Sequence, residues 1–579
     1  MNKPRYLARL IAALFALLLL IPACSTLRGF LPEPELATPS PATSNDFQFQ
    51  TPDVALLPPT ATTRPFVLPT PLPATAAPPT PTPAHPWATG DIHLYPGPRH
   101  YAGDILSIEL RVENFEPGLA RGVRLFVDGI ELPTTEGFAF TSPWEESFLV
   151  LPEVWDTTGD PGIHTVHIEL PPGSDGIQPD PLVVSIEVLP ADQKPAQELA
   201  ARWEQRDLPC CTLFYLTETA AARDIDKITP LVEQAFNDVE RRLGLRITNR
   251  PIPITLIDVV WGHGGLATGN SGIVLSYVDR AYISQDLPVT LRHEIAHWAA
   301  FQVTQNYPTI LSEGLATYVA GGHFKPEPLP ARAAALVALN RYLPLGALAD
   351  DFRGYQHEAA YLEAGALVYY LINTHGLNSF LAMIGREQAG AGAEWLDAAF
   401  QQQYGLTLAM VERDFRAWLA EQDAATQLDD LRVTLALYPV LRRYQDLYAP
   451  FEMALPLAED PYASSLISSY IREPTDPENA AMEAMLFDAQ RALRAQKYDS
   501  AEEFIGTLES ALRSGDFTLE PLRSYLGAAY ALRANGYEMI DVTFEGDQAA
   551  AHATRQPPQI ELVTLMRQPD GTWQVISRP

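Results

Sequence analysis

Cysteine is almost missing from this chain, with three residues in 579. A disulfide framework is therefore excluded as the source of its stability. Two of the three, Cys210 and Cys211, are adjacent, a spacing that leaves either a strained vicinal bridge or two buried thiols, and burial is the expected state. Cations are also short: 40 Lys and Arg face 71 Asp and Glu, for a net charge of -31. Nucleic-acid binding rests on clustered Lys and Arg, and no such run occurs, so nucleic acid is excluded as a partner class. Histidine is scarce too, at 12 residues, which gives weight to any place where two stand close together.

Apolar residues make up 47% of the chain, ample for several cores at this length. The N-terminus "MNKPRYLARLIAALFALLLLIPAC" carries Lys3, Arg5 and Arg9, then an apolar run from Leu10 to Ile21, then Ala23 before Cys24. This is an export signal over residues 1–24, similar to a bacterial lipoprotein signal, in which the cysteine becomes the lipidated N-terminus. Twelve apolar residues are short for a membrane span, which needs about twenty. The expected location is extracytoplasmic, with a lipid anchor in the cell membrane at Cys24.

Residues 25–87 form a Pro/Thr/Ala tract too poor in buriable surface to order itself, and are expected to act as an extended spacer. Over 88–192, alternating runs such as "ILSIELRVEN" and "GIHTVHIEL", with a turn at Asp128-Gly129, predict a small β-sandwich that looks immunoglobulin-like. The period changes near Ala196, and helical and strand patterns mix up to residue 422, predicting an α+β domain. Residues 425–535 are helical in pattern but lack the 34-residue self-similarity of tetratricopeptide repeats. Residues 536–579 alternate like three or four strands with a turn at Asp570-Gly571, and with the helices before them they can form a small α+β cone. The fold class is thus multidomain: sandwich, α+β domain, then a helical and small α+β region.

The chemistry concentrates at "RHEIAHW", residues 292–298. On a helix, His293 and His297 share one face a turn apart, and both imidazoles can reach one Zn²⁺. Glu294 projects to the side, where a metal-bound water would sit. A catalytic zinc takes a third protein ligand and keeps one position open. "YPTILSEGLATYVAGG" supplies it: Tyr307 and Pro308 break the first helix, and a short turn can bring Glu313 back, with fifteen residues between it and His297. His263 in "WGHGG" and His323 in "GGHF" lie in glycine-rich turns and are expected to be surface or loop histidines, while Arg292 and Trp298 are expected to pack or face solvent.

"HEIAH" followed by "LSEGLATYVA" resembles the gluzincin zinc metallopeptidases, and in particular bacterial peptidase-MA-like domains related to thermolysin and the M1 aminopeptidases. The resemblance covers about residues 200–421. It implies His293, His297 and Glu313 as zinc ligands, Glu294 as general base, and Tyr361, in "YLEAGALVYYLINTHGLNSFLAMI", as donor to the oxyanion. His357, one turn before Tyr361, is a rival donor. Three features depart from the family pattern. The spacing to Glu313 is short, and Thr317 stands where a carboxylate usually orients a ligand histidine. "GNSGIVLSYV", placed as the edge strand beside the substrate, lacks the Gly-x-Met-Glu-Asn motif that grips a free α-amine. The implied activity is hydrolysis of peptide or protein substrates, within the chain rather than from its end. The rival expectation is a surface binding or assembly protein that keeps the peptidase fold without turnover.

Overall fold

Alternating apolar residues build the first region of the computed structural model, which describes residues 87–577 apart from 114–121, 134–137, 142–146, 173–175, 249, 261, 263, 269–271, 284–285, 305–306, 387–389 and 449–466. The signal, Cys24, the spacer up to residue 86 and His263 lie outside the described residues. Nine strands follow in order: β1 (Trp87–Tyr95), β2 (His100–Tyr101), β3 (Ile105–Glu113), β4 (Arg124–Val127), β5 (Ile130–Leu132), β6 (Phe138–Thr141), β7 (Ser147–Asp156), β8 (Gly162–Glu169) and β9 (Leu182–Leu189). They form one sheet of order β1-β3-β7-β6 and another of order β2-β9-β8-β4-β5. Leu106, Ile108 and Leu110 of the first pack with Leu125, Val166 and Val188 of the second. Positive φ at both Asp128 (51°) and Gly129 (80°) makes the tight β4–β5 hairpin turn.

The central region opens with α1 (Ala196–Ala200), β10 (Trp203–Asp207), β11 (Cys211–Leu216), α2 (Ala220–Leu243), β12 (Ile252–Ile257), β13 (Gly265–Thr268) and β14 (Gly272–Ser276). Its sheet has the order β10-β11-β12-β14-β13, with β11, β12 and β14 parallel and an antiparallel strand on either side. The edge beside the helices is therefore β13, "GLAT". The strand in "GNSGIVLSYV", expected at that edge, is β14, which is hydrogen-bonded on both sides and buried from Gly272 to Leu275. Cys210 and Cys211 are free, buried thiols with Sγ atoms 2.9 Å apart.

Eight helices complete this region: α3 (Leu287–Phe301), α4 (Thr309–Ala320), α5 (Leu329–Ala338), α6 (Leu345–Asp350), α7 (His357–His375), α8 (Leu377–Ile384), α9 (Gly392–Tyr404) and α10 (Leu408–Leu419). Their apolar faces and the sheet share one core, from Leu213 and Ile254 through Ile295 and Leu315 to Leu367 and Phe415. α4 and α7 cross very closely. A Cβ on Gly314 would lie 2.6 Å from the Ala364 carbonyl oxygen, and one on Gly365 would lie 2.7 Å from Thr317 Cγ2.

The C-terminal region comprises α11 (Leu428–Tyr448), α12 (Ile467–Ile471), α13 (Pro477–Arg494), α14 (Tyr498–Ser514) and α15 (Leu522–Arg533), then β15 (Glu538–Glu545), β16 (Gln548–Thr554), β17 (Glu561–Arg567) and β18 (Trp573–Ser577). The last four form an antiparallel meander, one face of which packs on α13 and α15. Arg472 joins all three regions. Its guanidinium donates to both carboxylate oxygens of Glu198, at 2.7 and 2.6 Å, and to Asp104 of the sandwich at 3.0 Å. Buried charge of this kind fixes register more than it adds stability. Among the described residues no helix is long and apolar enough to cross a membrane.

Candidate metal centre

Asp286 caps α3, its carboxylate accepting from the Val289 N–H at 3.2 Å, and Pro288 occupies the first turn, where its missing N–H costs nothing. The helix therefore starts early enough to carry His293, Glu294 and His297 through its middle. α4 begins at Thr309 after Pro308 and packs back on α3. Arg292 tightens the pair by donating to the Ala320 carbonyl at the end of α4, at 3.0 Å.

This packing brings three donor atoms together. His293 Nε2 and His297 Nε2 are 3.1 Å apart, and each is 3.2 Å from Glu313 Oε2. Among the described residues, this is the one group of three or more His, Cys, Asp or Glu side chains placed to hold a metal ion. The donor set also suits a particular size. Zinc bonds of about 2.0–2.1 Å put tetrahedral neighbours roughly 3.3 Å apart, close to the spacing here. Burial works against charge on both partners, yet His297 and His293 hold the Glu313 carboxyl well below the usual carboxylate range, and Glu313 raises His297.

The atoms behind the ligands differ between the two histidines. His297 Nδ1 lies 3.3 Å from Ser312 Oγ, whose residue directly precedes Glu313. His293 Nδ1 is buried with no hydrogen-bond partner among the described residues, and so is Thr317 Oγ1. Thr317 is the position where the family resemblance expects a carboxylate that orients a ligand histidine.

Glu294 sits under the edge strand. The Ala267 N–H donates to its carboxylate, Gly265 lies against it, and burial raises its pKa. Tyr361 faces the ligands from α7, its ring centroid 6.1 Å from that of His293. Burial first, and then the charge of Glu313, push its phenol well above the usual tyrosine range, so it stays a proton donor. His357 stands 4.3 Å from Tyr361, ring to ring, and burial keeps it neutral. The structure thus gathers every residue singled out around the motif, including both candidate donors.

His323 lies in a loop, as expected, but it is buried rather than on the surface: it is 9% exposed, and its ring stacks on Tyr361 at 4.1 Å and 18°. Its Nδ1 lies 2.8 Å from Glu358 Oε2. The turn after α4 folds inward because α5 and α7 close over it, and the sequence carries no local sign of that.

Residues 254–421 match the family model described as Peptidase MA superfamily. No curated protein matches the chain. Among solved structures, yeast LTA4 hydrolase in complex with bestatin is 11% identical, covering 71% of this chain and 92% of its own, with a TM-score of 0.30. The native yeast enzyme gives 11% identity, 73% and 92% coverage and the same score. An aminopeptidase N family protein from Idiomarina loihiensis gives 11%, 63% and 74%, with a TM-score of 0.21. Scores this low establish no common fold over such lengths. The family match is local and includes both helices that carry the donor triangle: residues 254–421 match as a Peptidase MA superfamily domain.

Proposed function

We propose that this chain is a zinc-dependent metallopeptidase acting within peptide chains outside the cytoplasm. The observation that carries the proposal is the donor triangle of His293, His297 and Glu313, whose 3.1 and 3.2 Å edges suit a tetrahedral ion with one open position. Zinc held there would supply Lewis acidity and a water acidic enough to attack at neutral pH.

The remaining steps belong to the chain. Glu294, held by the Ala267 N–H, takes the proton of the attacking water and returns it to the departing amine nitrogen. Tyr361 donates its phenol proton in a hydrogen bond to the oxygen that becomes negative as the carbonyl turns tetrahedral. β13 is the outer strand of the sheet, and its free edge offers backbone groups to an extended substrate. Endopeptidase action fits a β13–β14 segment without a motif to hold a terminal amine. The N-terminal pattern supports a lipid anchor at Cys24, and the nine strands in two packed sheets support an immunoglobulin-like spacer that lifts the catalytic domain from the membrane.

A second reading, a peptidase fold kept for binding without turnover, draws on the partnerless His293 Nδ1 and Thr317 Oγ1. Zinc content and hydrolysis of an unfolded protein, measured on the parent and on Glu294→Gln, separate the two. The proposal expects one zinc in each and cleavage by the parent alone. Zinc in both without cleavage over several substrates favours binding, and no zinc in either removes both.

A further inference from the structure

Helix α11 lies beyond the matched family segment, yet it turns one stripe of side chains toward the back of the candidate site. Asp430, Thr434, Tyr438, Arg442 and Gln445 recur at three- and four-residue spacing, one face of a helix. We infer that α11 is part of the catalytic unit: its two ends position the two walls of the site, the wall of Tyr361 and the wall of Glu294. This inference rests on the proposed peptidase activity.

At its N-terminal end, Asp430 accepts from Arg332 Nη1 at 2.5 Å and from Lys325 at 2.8 Å. Arg332 has no solvent exposure, and its other Nη lies 2.7 Å from Glu327 and 4.0 Å from Glu358 Oε1. The second oxygen of Glu358 holds His323 at 2.8 Å, and His323 is the ring stacked on Tyr361. Arg332 donates to Asp430 and, from Nη2, to Thr434 Oγ1 at 3.4 Å, while Glu327 and Glu358 act on it through charge, Glu358 Oε1 having no hydrogen-bond partner among the described residues. Asp430 thus fixes Arg332, the charge of Arg332 bears on Glu358, and Glu358 through His323 sets the plane of the phenol. In the middle of the helix, Tyr438 stacks on Phe324, the neighbour of His323, at 3.9 Å and 18°.

At the C-terminal end, Gln445 Nε2 and Arg442 Nη1 both donate to the Gly262 carbonyl, at 3.1 and 3.3 Å, and Arg442 also donates to Gln445 Oε1 at 2.6 Å. Gly262 precedes β13 by three residues, and β13 is the strand whose Gly265 and Ala267 touch Glu294. Glycine-rich backbone has little stiffness of its own, so a double hydrogen bond at this carbonyl sets where the edge strand begins. Asp430, Arg442 and Gln445 are positioning residues, and the functional domain extends to about residue 448.

The test uses the full chain with zinc. Asp430→Asn keeps the shape of the side chain and weakens its hold on Arg332; the expected result is a kcat lowered between about tenfold and a hundredfold at unchanged KM and unchanged zinc content. In the Tyr361→Phe background the same substitution should add little, because its effect passes through the phenol. Gln445→Met is the milder partner should Asp430→Asn not fold. It should speed amide hydrogen exchange over residues 262–268 and lower kcat, with exchange in α3 unchanged. An unchanged kcat in folded Asp430→Asn, an equal loss with and without the Tyr361 hydroxyl, or unchanged exchange at 262–268 in Gln445→Met would each overturn the inference. The exchange measurement needs no substrate, so it stands even if the parent cleaves nothing, a result that would remove the peptidase proposal instead.

Discussion

Gly265 leaves no room for a side chain against Glu294: a Cβ there would lie 2.8 Å from Glu294 Oε1 and 3.0 Å from its Cγ. The edge strand thus presses the carboxylate toward the ligands. Gly265→Ala should push Glu294 aside while leaving the three metal donors in place. Hydrolysis should fall by about a hundredfold, with zinc content unchanged by elemental analysis. Full activity in that variant would mean that the carboxylate does not work from its observed position.

Ser312 is placed to orient His297 through Nδ1. Removing an outer partner of this type costs metal affinity by about tenfold or more, and Ser312→Ala should show that loss in competition with a chelator. Thr317→Asp restores the carboxylate that the family resemblance expects beside a ligand histidine, and should act in the opposite direction. Affinities indistinguishable from the parent in both variants would deny any role to the atoms behind the ligands.

Tyr361→Phe removes the donor but keeps the ring on which His323 stacks. Because the bond to the oxyanion forms only in the transition state, kcat should drop by about a hundredfold with KM nearly constant. Steady-state kinetics on a peptide substrate decide it. An unaltered kcat would transfer the role to His357, which lies 4.3 Å away.

Glu109 predicts a pH dependence unrelated to catalysis. Burial, and then the charge of Asp446, push its carboxyl up to about 8, and its Oε2 has no hydrogen-bond partner among the described residues. A folded value above the ordinary 4.5 means that its contribution to stability is complete below 4.5 and lost as pH rises through about 8. Glu109→Gln cannot ionise. Its melting temperature should gain on the parent between pH 5 and pH 8.5, by on the order of 3 °C. Parallel curves across that range would show that the carboxyl does not titrate as its burial requires.

The centre of the site is legible in sequence because helix geometry is local. A four-residue spacing sets His293 and His297 on one face, and a Pro-containing turn is enough to return Glu313 to them. Tyr361 is legible only through family resemblance, since nothing in "HEAAYLEAGALVYY" separates a donor from a core aromatic. His323 is invisible for another reason: its role comes from Glu358, thirty-five residues on, and long-range pairing leaves no periodic trace. The edge strand misleads because β14 is the more strongly apolar run, while β13 is only four residues long. The same limit hides α11, whose stripe of polar side chains resembles a solvated face until the chain folds back against it.

The crossing of α4 and α7 at Gly314 and Gly365 is a contact of backbone with backbone and small side chain, without long side chains to yield. Glu313 and Tyr361 therefore keep a separation determined by two rigid rods, so the proposed third ligand and the proposed proton donor cannot drift apart by repacking of side chains. A donor triangle with 3.1 and 3.2 Å edges would suit cobalt or another small four-coordinate ion in place of the proposed zinc, whereas calcium, with its six to eight oxygens at about 2.3–2.6 Å, would not be satisfied by two imidazoles and one carboxylate.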